Sequence, residues 1–255
     1  MLTTQYVTGA PNWIDLGTPD TEAAVAFYTR LLGWEYQSAG PDSGGYGFFH
    51  VGGKTVAAVG PLMDEGASSA WVLYFQTPDA DATAKAVREA GGVVRFEPFD
   101  VFTNGRMGGF TDPGGAEFAV WQPGETKGLD AVRVPGSLAW TELYVPDPSA
   151  VRPFYQAVFD WRVEETPFGD ATYIVLSTAE GQEPDFGGVM PLQPGDRPHW
   201  LVYFEVADSD AAVEIARELG GEVIVPPMSV EGVGRFAILT DPFGARFAVI
   251  TSVTT

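Results

Sequence analysis

The chain contains no cysteine. That removes any disulfide framework and any thiolate metal site. Histidine is nearly as scarce, with two among 255 residues, which leaves little imidazole for metal binding or acid–base chemistry. Basic residues are few: 14 Lys and Arg stand against 34 Asp and Glu, a formal charge of −20 at pH 7. Phosphate backbones and anionic lipids need clustered cations, so neither nucleic acid nor membrane is expected as a partner. There is no run of about eighteen apolar residues, so no transmembrane helix is expected. The first residues lack the basic-then-apolar order of a secretory signal, so a cytoplasmic location is expected.

What the chain does have is repetition. Trp13-Ile14-Asp15-Leu16-Gly17-Thr18-Pro19-Asp20 leads to Phe27-Tyr28 and Gly33-Trp34; Trp140-Thr141-Glu142-Leu143-Tyr144-Val145-Pro146-Asp147 leads to Phe154-Tyr155 and Asp160-Trp161 at the same spacing. Gly105-Arg106 and Asp112-Pro113-Gly114-Gly115 recur as Gly234-Arg235 and Asp241-Pro242-Phe243-Gly244. Copies of this length suit homologous domains rather than solenoid repeats, and 45% hydrophobic residues supply two cores. The boundaries read as 1–124, a Gly- and charge-rich linker at 125–135, and 136–255.

Each copy divides again, because Asp79 and Asp208 repeat the part played by Asp20 and Asp147. Each aspartate ends a short strand and caps a helix, its carboxylate accepting from first-turn N–H groups. Gly91-Gly92 and Gly220-Gly221 mark helix stops. Pro153 removes an N–H within the third helix, which is expected to begin late or bend. Alternation places Leu73, Phe75, Val202 and Phe204 on faces toward helices, with Tyr74, Gln76, Tyr203 and Glu205 opposite.

Four strand–helix–three-strand modules, carrying Pro-Asp…Phe-Tyr…Gly-Trp and Asp-Pro-x-Gly elements in duplicate, resemble the vicinal oxygen chelate superfamily, which includes glyoxalases, bleomycin-resistance proteins and extradiol dioxygenases. The tandem form resembles two-domain glyoxalase-like proteins of actinobacterial type. The resemblance implies an α+β fold of tandem vicinal-oxygen-chelate domains, with four βαβββ modules forming two curled-sheet cups. It also implies metal ligands at positions occupied here by Trp13 and Trp140, Val72 and Leu201, Ala119 and Ala248, and within Val56 to Gly60 and Gly187 to Met190. None of these side chains offers an oxygen or nitrogen donor to a metal. The expectation is therefore no metal and no cofactor.

The same alternation puts Asp15 with Trp13, and Glu142 with Trp140 and Tyr144, on the inner faces. Asp15 and Glu142 are the candidate catalytic carboxylates, serving as a general base or paired with Arg106 or Arg235. Trp13, Trp140, Tyr74, Tyr203, Trp121, Tyr144, Arg106 and Arg235 are the candidate ligand-binding residues. The rings act by stacking or simply as core filler, the arginines by holding an anionic group or bracing the sheet. His50 and His199 read as surface or structural. The leading expectation is a metal-independent protein binding a small aromatic organic molecule, as a monomer (an internal pseudo-dimer) or a homodimer. The alternative is a metal-independent isomerase or lyase using a cup carboxylate as base; a metal-dependent glyoxalase or dioxygenase ranks third. Whether there is catalysis is open at this point.

Overall fold

The computed structural model describes residues 2–62, 66–168, 171–182 and 184–253. Four modules follow one another with the same element order. The first is β1 (Pro11–Thr18), α1 (Thr21–Leu32), β2 (Glu35–Ser38), β3 (Gly47–Val51) and β4 (Lys54–Pro61). The second is β5 (Ala70–Gln76), α2 (Ala80–Glu89), β6 (Val93–Val101), β7 (Gly105–Thr111) and β8 (Glu117–Pro123). The third is β9 (Leu138–Val145), α3 (Pro148–Phe159), β10 (Arg162–Phe168), β11 (Ala171–Ser177) and β12 (Asp185–Pro191). The fourth is β13 (His199–Glu205), α4 (Ser209–Glu218), β14 (Glu222–Val230), β15 (Gly234–Thr240) and β16 (Arg246–Ser252).

The strands form two curled eight-stranded sheets, in the orders β2-β3-β4-β1-β5-β8-β7-β6 and β10-β11-β12-β9-β13-β16-β15-β14. This is the α+β class of tandem domains that the repeats imply. Within each module the first and last strands run parallel, as β1 with β4 and β9 with β12. Among the described residues no helix is long and apolar enough to cross a membrane.

The helices start where aspartates offer their carboxylates. Asp20 accepts from Ala23 N–H, Asp79 from Ala82, Asp147 from Ser149, and Asp208 from Asp210 and Ala211. α1 stops at Gly33, in the left-handed region at φ 70°, and Gly91 and Gly220 follow α2 and α4 with φ of 86° and 87°. α3 differs from expectation. It starts on time at Pro148 and runs through Pro153 to Phe159. Pro148 loses nothing at the first position, where the N–H has no helical partner. Pro153 forfeits one ladder bond, and the buried face of Val151, Phe154, Tyr155 and Phe159 holds the helix regardless.

The chain divides into two compact units. One comprises Met1–Trp13, Val72–Gly128 and Trp140–Leu201, in essence the second and third modules; the other comprises Ile14–Trp71, Leu129–Ala139 and Val202–Thr255, the first and fourth. Each therefore joins a module of one copy to a module of the other. In the first unit Phe75, Tyr155, Phe159, Trp161 and Trp200 pack as a ring cluster, with Tyr155 stacked on Trp161 at 4.6 Å. In the second, Tyr28, Trp34, Trp71, Phe204 and Phe247 do the same.

A buried hydrogen-bond chain pins each cluster. Tyr155 donates its hydroxyl to Asp112 at 2.8 Å and accepts Trp200 Nε1–H at 3.1 Å. The other Asp112 oxygen accepts Ala116 N–H at 2.9 Å. Tyr28, Asp241, Trp71 and Ala245 repeat the pattern at 3.2, 3.0 and 2.9 Å. The Phe-Tyr and Asp-Pro-x-Gly elements are thus partners, each tyrosine from one copy reaching the aspartate turn of the other. Burial raises both carboxyls above the ordinary aspartate range, although the hydrogen bonds pull the other way.

Candidate functional site

β9 carries a cluster of hydrogen-bonded side chains in the first unit. Its odd positions, Thr141, Leu143 and Val145, are fully buried, while Trp140 and Tyr144 are half-buried and Glu142 is 9% exposed. Leu143 pairs with Val189 of β12, and Val189, Ile174 and Leu176 line a cavity of about 10 Å³ beneath α3. That space barely admits a water molecule. Strand alternation then puts Glu142, which pairs with Gly188, on the face away from α3.

There Glu142 is held by two tyrosines. Tyr173 of β11 donates to Oε1 at 2.8 Å, and Tyr144 donates to Oε2 at 2.8 Å. Tyr173 in turn accepts the indole N–H of Trp140 at 2.9 Å. Burial first, and the Glu142 charge second, raise the Tyr173 phenol well above its ordinary value, so its proton stays on. Gly188 makes the room: a Cβ there would collide with the Tyr173 hydroxyl. Tyr144 also stacks on the His199 imidazole, with ring centres 5.1 Å apart and planes 5° from parallel. His199 Nδ1 lies 2.8 Å from the Arg197 carbonyl. A carbonyl only accepts, so Nδ1 carries the proton.

The second unit holds a reduced counterpart. Tyr46 donates to Asp15 at 3.0 Å, across the same separation of 31 residues that divides Tyr173 from Glu142. Asp15 pairs with Ala58 where Glu142 pairs with Gly188. Gly17 stands in the place of Tyr144 and Ala70 in the place of His199. The carboxylate–tyrosine pair is common to both copies, whereas the second tyrosine and the stacked imidazole belong to copy two.

The other candidates are placed as follows. Trp13 is buried on β1. Tyr74 is buried on β5, its register partner on β8 being Ala119. Tyr203 is buried, edge-on to Phe236 at 6.0 Å. Trp121 is packed over Gly105, with its N–H given to the Thr126 carbonyl at 2.9 Å. The arginines are each bonded to an acidic side chain. Arg106 grips Asp81 through two nitrogens and reaches Asp100 at 2.9 Å; Arg235 grips Asp210 and reaches Ser229. Neither pairs with Asp15 or Glu142 in these bonds.

The positions that the resemblance gives to metal ligands do not fit a divalent cation. Leu201, Ala119 and Ala248 are buried apolar residues, and Trp140 commits its one N–H to Tyr173. Among the described residues no three His, Asp or Glu side chains gather as a cation site. Sequence reading missed Tyr46, Tyr173 and Gly188, and set His199 aside. A signal existed for the tyrosines: both copies carry Tyr at equal distance after the inner-face carboxylate.

Comparison with known proteins agrees with this architecture. The family model described as "Glyoxalase/Bleomycin resistance protein/Dioxygenase superfamily" matches residues 10–120 and 137–249. The chain is 40% identical to anthracycline biosynthesis protein DauV of Streptomyces sp. (strain C5), covering 97% of this chain and 94% of that protein. It is 38% identical to CFP32 of Mycobacterium bovis, provisionally named a glyoxylase, covering 96% of each. Among solved structures, the Mn(II)-bound glyoxalase from Novosphingobium aromaticivorans superimposes with a TM-score of 0.66 at 20% identity, covering 98% of this chain and 83% of that one. At that identity the likeness shows the fold alone.

Proposed function

The chain belongs to the glyoxalase/bleomycin resistance protein/dioxygenase superfamily, and from that premise we propose that it binds a small planar aromatic molecule without a metal. The binding wall is that of copy two: Trp140, Glu142, Tyr144, Tyr173 and His199. One observation carries the reading: a carboxylate held at both oxygens by tyrosine hydroxyls within an aromatic surface. Rings supply stacking area and the polar centre supplies orientation, the usual division of labour in a small-molecule site. DauV is named for anthracycline biosynthesis, and anthracyclines are built on fused planar rings, the shape such a wall would take.

A second reading keeps the same residues. A carboxylate oriented by two hydroxyls is prepared to take a proton, as a base in an isomerase or lyase step. In either case the protein itself supplies the chemistry. Tryptophan fluorescence of the wild-type chain and of Trp140→Phe, titrated with a polycyclic quinone, tests the binding reading. Quenching in the wild type and weaker binding by about 0.5–1.5 kcal/mol in the variant are expected, the range of one aromatic pair. Elemental analysis of dialysed protein tests the metal-free reading. One tightly held transition metal per chain would overturn it.

A further inference from the structure

We infer that β6 is the contact strand of a twofold homodimer, lying antiparallel to β6 of a second copy about an axis at Phe96. β6 ends its sheet, so among the described residues one side of it has no strand beside it. Exposed apolar side chains crowd onto it: Val93, Phe96 and Phe99 along the strand, and Phe102, 82% exposed, in the turn that follows. The Phe96 and Phe99 rings lie 5.9 Å apart, centre to centre. Phe102 stands at φ 50°, in the left-handed region that favours glycine. Copy two puts Gly232 in that region when it closes the matching hairpin. An exposed ring on a strained backbone is unfavourable on both counts, which fits a residue whose contacts lie outside its own chain.

The order of residues in β6 points to a second copy as what covers it. Laid antiparallel on itself about Phe96, Arg95 of each copy faces Glu97 of the other, Val93 faces Phe99, and Phe96 faces its own image. Opposite charges meet and apolar meets apolar, each pair twice, as a self-complementary twofold contact requires. Within one copy Arg95 bonds Glu117 and Glu97 bonds Arg88. Both are exposed surface pairs of small worth, so sharing or exchanging them costs little. The matching edge of copy two, β14, has the same length and register but not this pattern, with Ile224 and Pro226 standing where Arg95 and Glu97 do. Pro226-Pro227 deny that edge two N–H groups, whereas β6 lacks one, at Pro98. The β7 register skips Arg95, Glu97 and Pro98, and a bulged strand supports only a short ladder. Side chains therefore supply most of the contact. The three rings offer roughly 300 Å² of apolar surface. One side of a standard interface is roughly 800 Å², a little over half of it apolar. The patch meets most of that share, which suits a reversible dimer. The charge of −20 on each copy does not forbid it. At physiological salt, charges beyond about 8 Å are largely screened, and those at the contact are complementary.

Sedimentation velocity of the full-length chain over a concentration series tests this. A dimer that dissociates on dilution is expected, with a dissociation constant on the order of micromolar. Phe99→Asp should leave only monomer, with circular dichroism confirming the fold. If that variant does not fold, Phe102→Ser, which removes an exposed ring from the turn, should weaken the dimer instead. Arg95→Glu sets like charges face to face across the axis and should weaken the dimer roughly tenfold or more. Arg95→Glu combined with Glu97→Arg should restore it, even though the pairs with Glu117 and Arg88 inside each copy are then like-charged. That rescue reads the contact between copies, since a loss of bonds within the chain would only deepen. A chain that stays monomeric well above micromolar concentration would overturn the inference. So would a dimer that keeps its strength in Phe99→Asp or Arg95→Glu, or one that the double reversal fails to restore.

Discussion

A methyl group at Gly188 would occupy the place of the Tyr173 hydroxyl, directly beside Glu142 in the β9–β12 pairing. Copy one carries that methyl as Ala58. Its tyrosine instead leans over Gly60, where an added Cβ would lie 2.8 Å from the Tyr46 ring. Gly188→Ala should therefore push Tyr173 off Glu142 and Trp140 without emptying any core. Affinity for a planar aromatic ligand should fall by about tenfold, as one hydrogen bond is lost, and stability by about 1 kcal/mol. Ligand titration alongside urea unfolding checks this, and unchanged affinity would show that Tyr173 does not shape the site. At this scale the sequence was partly legible. Strand alternation marked Glu142, Trp140 and Tyr144 as sharing a face, and hydrogen bonds join all three to one network. Tyr173 was not visible that way, because its strand reaches Glu142 only through β12. Arg106 and Arg235 were ambiguous for a related reason: their partners Asp81 and Asp210 sit on helices, and no linear spacing announces the pairing.

At the scale of elements, what could be read was whatever depends on near neighbours. The four aspartate caps, the glycine stops and the strand–helix–three-strand order are local matters of capping, backbone angle and alternation. α3 is where the local rule gave way. Pro153 is exposed and sits mid-helix, while Phe154 and Tyr155 beside it are 2% exposed. Burial of that face, together with the Tyr155–Asp112–Trp200 chain, outweighs one missing ladder bond. Pro153→Ala should restore the bond without disturbing packing. The helix gains up to about 3 kcal/mol in propensity, offset by the greater freedom of the unfolded chain. A net stabilisation of about 1–2 kcal/mol is expected in urea unfolding. No gain would mean that the helix is built around its proline.

The whole molecule is organised by pairings that no single copy contains. Read linearly, the chain offers two domains in succession, and the family model matches it in the same two stretches. By contacts it forms two units, each with one module from either copy. The distinction lies in Tyr28 with Asp241 and Tyr155 with Asp112, residues legible as motif members but not as each other's partners. These pairs give the molecule a pH dependence of definite sign. Burial lifts Asp112 and Asp241 above the ordinary carboxyl value of 3.8. An acid whose folded value is raised holds its proton more tightly when folded. Its stabilising contribution is complete below 3.8 and is lost as pH rises through the folded value. Asp112→Asn removes that titration and keeps an oxygen for the Ala116 N–H. The variant shares every other acidic group with the parent, so the difference between the two isolates Asp112 from the general effect of a charge of −20. The wild type's unfolding free energy relative to the variant should decline as pH rises from about 4 and level off above the folded value, by roughly 1.4 kcal/mol in all for each unit that the folded value is raised. Urea unfolding at several pH values reads this difference directly. A difference that stays flat or grows with pH would mean that the hydrogen bonds from Tyr155 and Ala116 outweigh burial at Asp112.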